Sequence, residues 1–285
     1  MPPANNTAAG FSASLVLYRS NLEWFKRTLE ALVHATDELG GSLALTVIDQ
    51  SQDPTYSARA AATLHDALKG SAVEAHVDVL ATNGGYGAGH NQILARGMAD
   101  IHLILNPDVE LSADALLRAK EILAQHPNVV LLAPIGYGAD GQREYLAKRY
   151  PSPTVLALRA FAPAWLRTLF SRKMAAYEYR DLSFTEPLQP VTLVSGCCMF
   201  VRSQAFREVS GFDQQFFLYF EDYDLSLRLA QLGGVAQSAH ITVIHHGGNA
   251  ARKGLRHILW FCGGMVRFLS RWGWLGLKKT GGNVT

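Results

Sequence analysis

Carboxylates are missing from the last 61 residues of this 285-residue chain: positions 225–285 carry eight Lys and Arg but no Asp or Glu. The first 224 residues hold the other 18 basic residues and all 24 acids, so a net charge of +2 hides a balance of −6 followed by one of +8. A basic, acid-free stretch suits a polyanionic neighbour, anionic lipid or phosphate; docking on the acidic remainder of the same molecule is the alternative. Cysteine is scarce. Cys197, Cys198 and Cys262 form no Cys-x-x-Cys pair and cannot build a multi-bridge framework, which points to a reduced, cytoplasmic setting. Long apolar runs are also lacking: 191–201 is too short to cross ~30 Å of hydrocarbon, and 258–269 is short and broken by Arg267. Residues 1–10 are small and polar, without a basic start or apolar centre, and read as a flexible tail and not a signal peptide. Charged residues make up only 18%, against roughly 25% in an average soluble domain. That excludes wholesale disorder, a fibrous repeat and a charged tail for nucleic acid, so no nucleic-acid partner is expected.

What is present is an alternation. Segment 12–18 reads as a buried strand, and Leu22, Phe25, Leu29, Leu32 and Val33 then recur at helical spacing over 22–39, closed by Gly40-Gly41. A strand over 43–48, a helix over 56–68, a strand over 73–80, a helix over 90–98 and a strand over 101–105 follow. Strands separated by helices of this length predict an α/β fold with a mainly parallel twisted sheet flanked by helices. In such sheets ligands bind beyond the carboxyl ends of the strands. The residues there are Tyr18-Arg19-Ser20, Asp49-Gln50-Ser51, Asn83-Gly84-Gly85 and Asn106-Pro107-Asp108, a set suited to a ligand carrying hydroxyls, a base and phosphates. Segment 136–190 breaks the pattern with Pro151, Pro153, Pro163, Pro187 and Pro190, and reads as a partly helical insert over the crevice. A strand over 191–201, a helix over 203–209, a short strand over 241–244 and a helix over 253–272 complete the chain.

Four motifs invite chemistry. Pro107 ends its strand, so Asp108 projects at the sheet edge, where a hard cation such as Mg²⁺ takes a carboxylate together with substrate phosphate oxygens. An ordinary turn explains the tripeptide as simply. Asn83-Gly84-Gly85-Tyr86-Gly87-Ala88-Gly89-His90-Asn91 links a strand to a helix, an arrangement that brings backbone N–H groups to phosphate or sugar; a plain tight turn stays open. It lacks the G-x-G-x-x-G spacing, and no Walker sequence occurs, which disfavours a dehydrogenase or a P-loop enzyme. Glu221, Asp222 and Asp224 crowd the first turn of a helix after a strongly aromatic run. The helix dipole accounts for one or two acids, whereas carboxylates among aromatic rings are desolvated toward the pKa of a general base. His245-His246 follows a strand, and only one of the two can face the crevice. Cys197-Cys198 reads as core.

Taken in order, these motifs resemble the inverting family-2 glycosyltransferases of the GT-A fold, and among them the bacterial rhamnosyltransferases in particular. The likeness runs from about Phe11 to Gly248 and is weak only in the insert. It implies a flexible tail at 1–10 and a GT-A unit over 11–250. That unit divides into a nucleotide-sugar half (11–133), an acceptor-side insert (134–190) and a catalytic and acceptor half (191–250), followed by a basic amphipathic extension at 251–285. It implies that Asp108 and His245 hold Mg²⁺ or Mn²⁺, with Asn106 standing where the family often has a first acid. Tyr18, Asp49, Asn83, Gly84, Gly85, Asn91, Asn106 and Asp108 would bind the donor, Asp49 through its pyrimidine base. Asp222, with Glu221 beside it, would be the catalytic base, and Asp224 and Tyr219 would lie on the acceptor side. Asn249-Ala250 stands where the family often has Ser. The expected donor is a dTDP- or UDP-sugar, first of all dTDP-L-rhamnose. The expected acceptor is a glycan or lipid-linked glycan at the inner face of the cytoplasmic membrane.

Two other classes compete. A nucleotidyltransferase would need a glycine-rich loop with Arg and Lys directly after the first strand, and Tyr18-Arg19-Ser20-Asn21 contains no glycine. A non-catalytic sugar- or nucleotide-binding module would not need both Asp108 and Asp222. In the extension, Ile258, Leu259, Phe261, Cys262, Met265, Val266, Phe268 and Leu269 form an apolar helical face amid Arg252, Lys253, Arg256, Arg267, Arg271, Lys278 and Lys279. That is the make-up of an interfacial helix on an anionic membrane. Packing on the catalytic unit or on a second subunit in a homodimer is the competing expectation.

Overall fold

The computed structural model describes residues 10–181, 187–247, 254–274 and 276. The tail at 1–9, Asn249-Ala250, Arg252, Lys253, Lys278 and Lys279 therefore lie outside the described residues.

The amino-terminal half is a run of β/α units. Strands β1 (Phe11–Leu17), β2 (Leu43–Asp49), β3 (Val73–Val79) and β4 (Ile101–Leu105) are parallel, in the order β3-β2-β1-β4. Chain order reverses beside β1, which opens a crevice at the carboxyl ends of β1 and β4. Helix α1 (Leu22–Leu39) starts where Asn21 Oδ1 accepts the N–H groups of Glu23 and Trp24, and stops at Gly40 in the left-handed region (φ 64°). It buries Phe25, Leu29 and Leu32 against the sheet, each worth roughly 1.5–3 kcal/mol of apolar burial. Helix α2 (Pro54–Leu68) is capped by Asp53, with proline in the first turn.

The glycine-rich segment departs from expectation. Its helix begins at Tyr86: α3 (Tyr86–His90) continues as a 3-10 turn over Asn91–Ala95 and ends short of Met98. The glycines permit this path. A Cβ on Gly87 would press into Phe212, and one on Gly89 into Val16 and Gln50.

After β4 come β5 (Val109–Leu111), α4 (Ala115–Gln125) and β6 (Val129–Gly138), none of which the sequence pattern predicts. The hairpin strand β7 (Arg143–Glu144) pairs with β6, and β8 (Ala147–Lys148) follows. The insert then forms α5 (Pro153–Phe161), α6 (Ala164–Leu169) and α7 (Ser171–Tyr177). Beyond β9 (Leu188–Pro190), the expected single strand over 191–201 is two: β10 (Leu193–Val194), paired with β8, and β11 (Cys198–Arg202), antiparallel to β4. The break has a physical cause. Ser195 N–H is taken by Leu146 O and Gly196 N–H by Asp222, so neither is free for a ladder.

Helices α8 (Ser203–Glu208) and α9 (Glu221–Leu229) lead to β12 (Gly234–His245), far longer than the expected 241–244 and irregular between Gln237 and Thr242. The sheet order continues β4-β11-β6-β12-β5. Helix α10 (Gly254–Trp272) closes the fold: Phe268, Leu269 and Trp272 pack with Phe216, Phe220, Leu227 and Leu156 in a separate apolar cluster. No described helix is long and apolar enough to cross a membrane.

Candidate active site

The strand ends meet as the topology requires. Tyr18 is exposed beyond β1. Asp49, at the end of β2, is buried: its Oδ1 accepts Ser51 N–H (2.8 Å) and its Oδ2 the Ser57 hydroxyl (2.5 Å). Gln50 clamps the glycine turn, its Nε2 donating to Gly85 O (3.0 Å) and its Oε1 accepting Gly84 N–H (2.9 Å). Asn83 Oδ1 takes Gly85 N–H (2.9 Å). Gly85 has φ 94°, and a Cβ there would collide with Phe217 O, which itself accepts Tyr86 N–H (3.0 Å). The turn is thus pressed against the aromatic run from the other half of the molecule. Asn91, expected to touch the donor, does something else. It is buried, donates to Phe212 O and accepts Phe212 N–H (2.8 Å each), so both ends of its amide are spent holding the Gly211-Phe212 loop.

Asp108 and His245 come together across β5 and β12. His246 N–H donates to Asp108 O (2.8 Å), which draws the end of β12 over the Asn106-Pro107-Asp108 turn. His245 Nε2 then lies 3.6 Å from Asp108 Oδ1. Glu144 Oε2 stands 2.8 Å from His245 Nδ1; a carboxylate there accepts an Nδ1–H and leaves the Nε2 lone pair toward Asp108. His246 turns the other way, onto Glu110 (2.6 Å) and the face of Trp24. Gly247 passes so close that a Cβ would strike the Asp108 carboxylate. Asn106 Oδ1 and Asp108 Oδ1 are buried without a hydrogen-bond partner. Two orphaned oxygens beside an oriented imidazole nitrogen fit a hard divalent cation. Glu144 binds the far nitrogen of His245, and among the described residues no three His, Cys, Asp or Glu side chains are placed to hold one metal ion, so such a cation would need oxygen ligands from elsewhere, as substrate phosphates supply.

Asp222 approaches from the far side. Tyr219 and Phe220 both have positive φ (73° and 68°), a strained entry into α9. Asp222 Oδ2 accepts Gly196 N–H (3.0 Å) and Oδ1 accepts Tyr223 N–H (2.9 Å). Burial raises its carboxyl from the usual 3.8 to about 6, partly offset by those two N–H donors. Gly196 also accepts the Tyr86 hydroxyl (2.5 Å), and Cys197 O accepts Asn106 N–H (2.9 Å). The Ser195-Gly196-Cys197 turn therefore joins Asp222 to the Asn106-Pro107-Asp108 turn, and the buried Cys197 thiol, pushed up to about 12 by burial, feels Asp108, Glu144 and Asp222 together.

Other expected residues lie elsewhere. Glu221 is buried with Oε2 unpartnered, and burial with the Asp222 charge holds it well above the carboxylate range. Asp224, expected on the acceptor side, is fully buried and binds Arg228 (2.7 Å), Arg271 (2.7 Å) and Trp272 Nε1 (2.9 Å), anchoring α9 to α10. Tyr219 hydrogen-bonds His257 of α10 (2.9 Å). Glu144 was missed; it lies in the irregular insert, where no periodicity marks it.

These features define a nucleotide-diphospho-sugar type of fold with a carboxylate–histidine pair at its strand ends and the Asp222 carboxylate at the start of α9, and the comparisons agree on the fold. The structure resembles that of GalNAc-T7 with UDP, GalNAc and Mn²⁺ (TM-score 0.61, 12% identity, 94% of this chain and 49% of that one). It also resembles S. aureus TarS 1–349 in complex with UDP-GlcNAc (TM-score 0.55, 16% identity, 86% and 61%). Residues 155–274 match the family model Glycosyl transferase family group 2. Over 180 residues the chain is 32% identical to an N-acetylglucosaminyl-diphospho-decaprenol L-rhamnosyltransferase of Mycobacterium tuberculosis, covering 58% of this chain and 56% of the relative. Over 165 residues it is 28% identical to rhamnosyltransferase WbbL of Escherichia coli (53% and 57%). The chain thus has a GT-A-type fold and is similar in sequence, over part of its length, to family-2 glycosyltransferases; the matches span little more than half the length of these curated relatives.

Proposed function

We propose that the chain is an inverting glycosyltransferase that moves a sugar from a nucleoside diphosphate to a hydroxyl of a lipid-linked glycan, with dTDP-L-rhamnose as donor. The observation that carries this is the union, through the Ser195-Gly196-Cys197 turn, of the Asp108–His245 pair and the raised Asp222 carboxylate. Asp222 would take the acceptor hydroxyl proton as the oxygen–anomeric carbon bond forms and the carbon–phosphate oxygen bond breaks, so configuration inverts once. A base of this kind contributes roughly 10²–10⁴-fold. Asp108, His245 Nε2 and Asn106 Oδ1 would hold Mg²⁺ or Mn²⁺, whose charge offsets that of the departing diphosphate. Tyr18, Asp49, Asn83, Gly84 and Gly85 would frame the nucleotide and sugar, while Asn91 acts through the loop it holds. The rhamnosyl assignment draws on the names of the two relatives. Another nucleotide-sugar, a hexose or galactofuranose donor, is the second reading.

The exposed amino-terminal half of α10 would rest on anionic lipid at the inner face of the cytoplasmic membrane, near such an acceptor. The test of the function is release of nucleoside diphosphate from dTDP-L-rhamnose and from a panel of UDP-sugars, with Mg²⁺, Mn²⁺ or EDTA. Turnover of dTDP-L-rhamnose that EDTA abolishes is expected. Turnover of a UDP-sugar alone would shift the donor assignment, and release from none would overturn transfer.

A further inference from the structure

Between Glu144 and Glu178 the chain carries six Lys and Arg and no acid, and the fold gathers part of that charge beside Asp222. Glu178 is the hub. Its carboxylate meets Lys148 Nζ (3.1 Å), Arg180 (2.5 Å) and Arg159 (4.0 Å), so one buried acid faces three cations. Arg149 is separately matched by Asp181 (2.6 Å). Among the described residues the two guanidinium groups of Arg159 and Arg180 alone outnumber the Glu178 carboxylate, with Lys148 beside them. Lys148 registers the excess: burial first, then the Arg159 charge, lower its ammonium to about 7.

The cluster is open and close to the reaction. Arg159 and Arg180 leave 43% and 49% of their side chains exposed. Arg159 lies 6.0 Å and Lys148 5.6 Å from the Tyr177 ring, and the Tyr177 hydroxyl bonds the Tyr223 hydroxyl (2.7 Å). Tyr223 follows Asp222 and gives it an N–H bond. The Arg159 charge reaches both Asp222 and Tyr223. The Asp108–His245 pair is joined to Asp222 through a different turn, so this charge is not accounted for by the donor's diphosphate. Guanidinium groups in excess over carboxylate favour a doubly charged phosphate ester, which they bind through paired N–H bonds.

We propose that Arg159 and Arg180, backed by Lys148, form a second phosphate-binding subsite that holds the diphosphate of a lipid-linked acceptor. The proposal rests on glycosyl transfer for the identity of the acceptor but not for the binding itself, which is tested first and without catalysis. Inorganic pyrophosphate is titrated into the full chain in EDTA. An R159Q/R180Q double variant should bind at least about 10-fold more weakly, as loss of charge-assisted bonds of about 1.5–3 kcal/mol implies, while D108N should bind as the parent does. Weakening by D108N alone, or by neither variant, overturns the subsite.

The second arm compares a sugar linked through diphosphate to a short prenyl chain with the same sugar as an alkyl glycoside. KM for the first should rise about 10-fold or more in R159Q and R180Q, R180K should recover part of the loss, and KM for the glycoside should not move. Equal loss on both acceptors indicates a structural role and overturns the proposal. So does a loss confined to phosphatidylglycerol vesicles, which would assign the charge to membrane lipid.

Discussion

Of three neighbouring acids, Glu221, Asp222 and Asp224, only Asp222 is both partly exposed and held by backbone N–H donors that keep its charged form accessible. Glu221 is enclosed without donors on Oε2, and Asp224 is neutralised by arginine. Asp222→Asn should therefore keep donor binding and lose at least ~10²-fold in kcat, measured as nucleoside diphosphate release. A proton acceptor works only when ionised, so parental activity should fall tenfold per unit below pH 6 and level off above it; the residual activity of the variant should lack that limb. The stability sign is opposite. A carboxyl raised from 3.8 to about 6 on folding stabilises most below pH 3.8, and that contribution is lost as pH rises through 6. At pH 8 the asparagine variant should melt no lower than the parent. Near-parental turnover would remove Asp222 from the base role.

At the scale of elements, the site depends on contacts between α9 and α10. The carboxyl-terminal half of α10 is tied down by Trp272 and Arg271 on Asp224, by Arg271 on Asp213 (2.6 Å), and by Phe268 stacking on Tyr150. Since removing one partner of a buried ion pair strands the others, Asp224→Asn should destabilise by about 3–5 kcal/mol in urea unfolding, with Trp272 becoming solvent-exposed by fluorescence. An unchanged midpoint would mean that apolar packing alone holds α10. The glycine turn has the same cross-dependence: Gly85 must be glycine because Phe217, 132 positions away, presents its carbonyl there.

On the scale of the whole molecule, the two halves of α10 differ in burial. Its far half is core. Its near half presents Leu255 (79% exposed), Ile258 and Leu259 (70%) with Arg256 and no acid within reach in sequence. Each basic residue near anionic lipid is worth ~1 kcal/mol, and the apolar side chains add burial in the interface. Sedimentation with phosphatidylglycerol vesicles should retain the parent at low salt, release it at high salt, and lose L255D/L259D. Equal binding to neutral vesicles, or none to either, defeats the membrane assignment. Point variants are the right probe, because deleting 252–285 would strip Phe268, Leu269 and Trp272 from their cluster.

Much was determined by the sequence alone, wherever the signal was local. Hydrophobic period and caps placed β1, α1, β2, α2, β3 and β4 to within a residue or two, and strand ends pointed to Asp49, Asn83 and Asp108, because periodicity and capping depend on near neighbours. Residues with long-range partners were not legible. Asn91 and Asp224 read as ligand-facing polar groups, yet the partners that occupy them are 121 and 47 positions away. Glu144 carried no pattern, although it orients His245 from 101 positions away. The single strand over 191–201 became two because Leu146 and Asp222 claim its backbone N–H groups. Which histidine faces Asp108, which of the three acids stays partly exposed and which half of α10 is buried were decided by tertiary structure, since each depends on burial and on partners that only the closed fold brings within bonding distance.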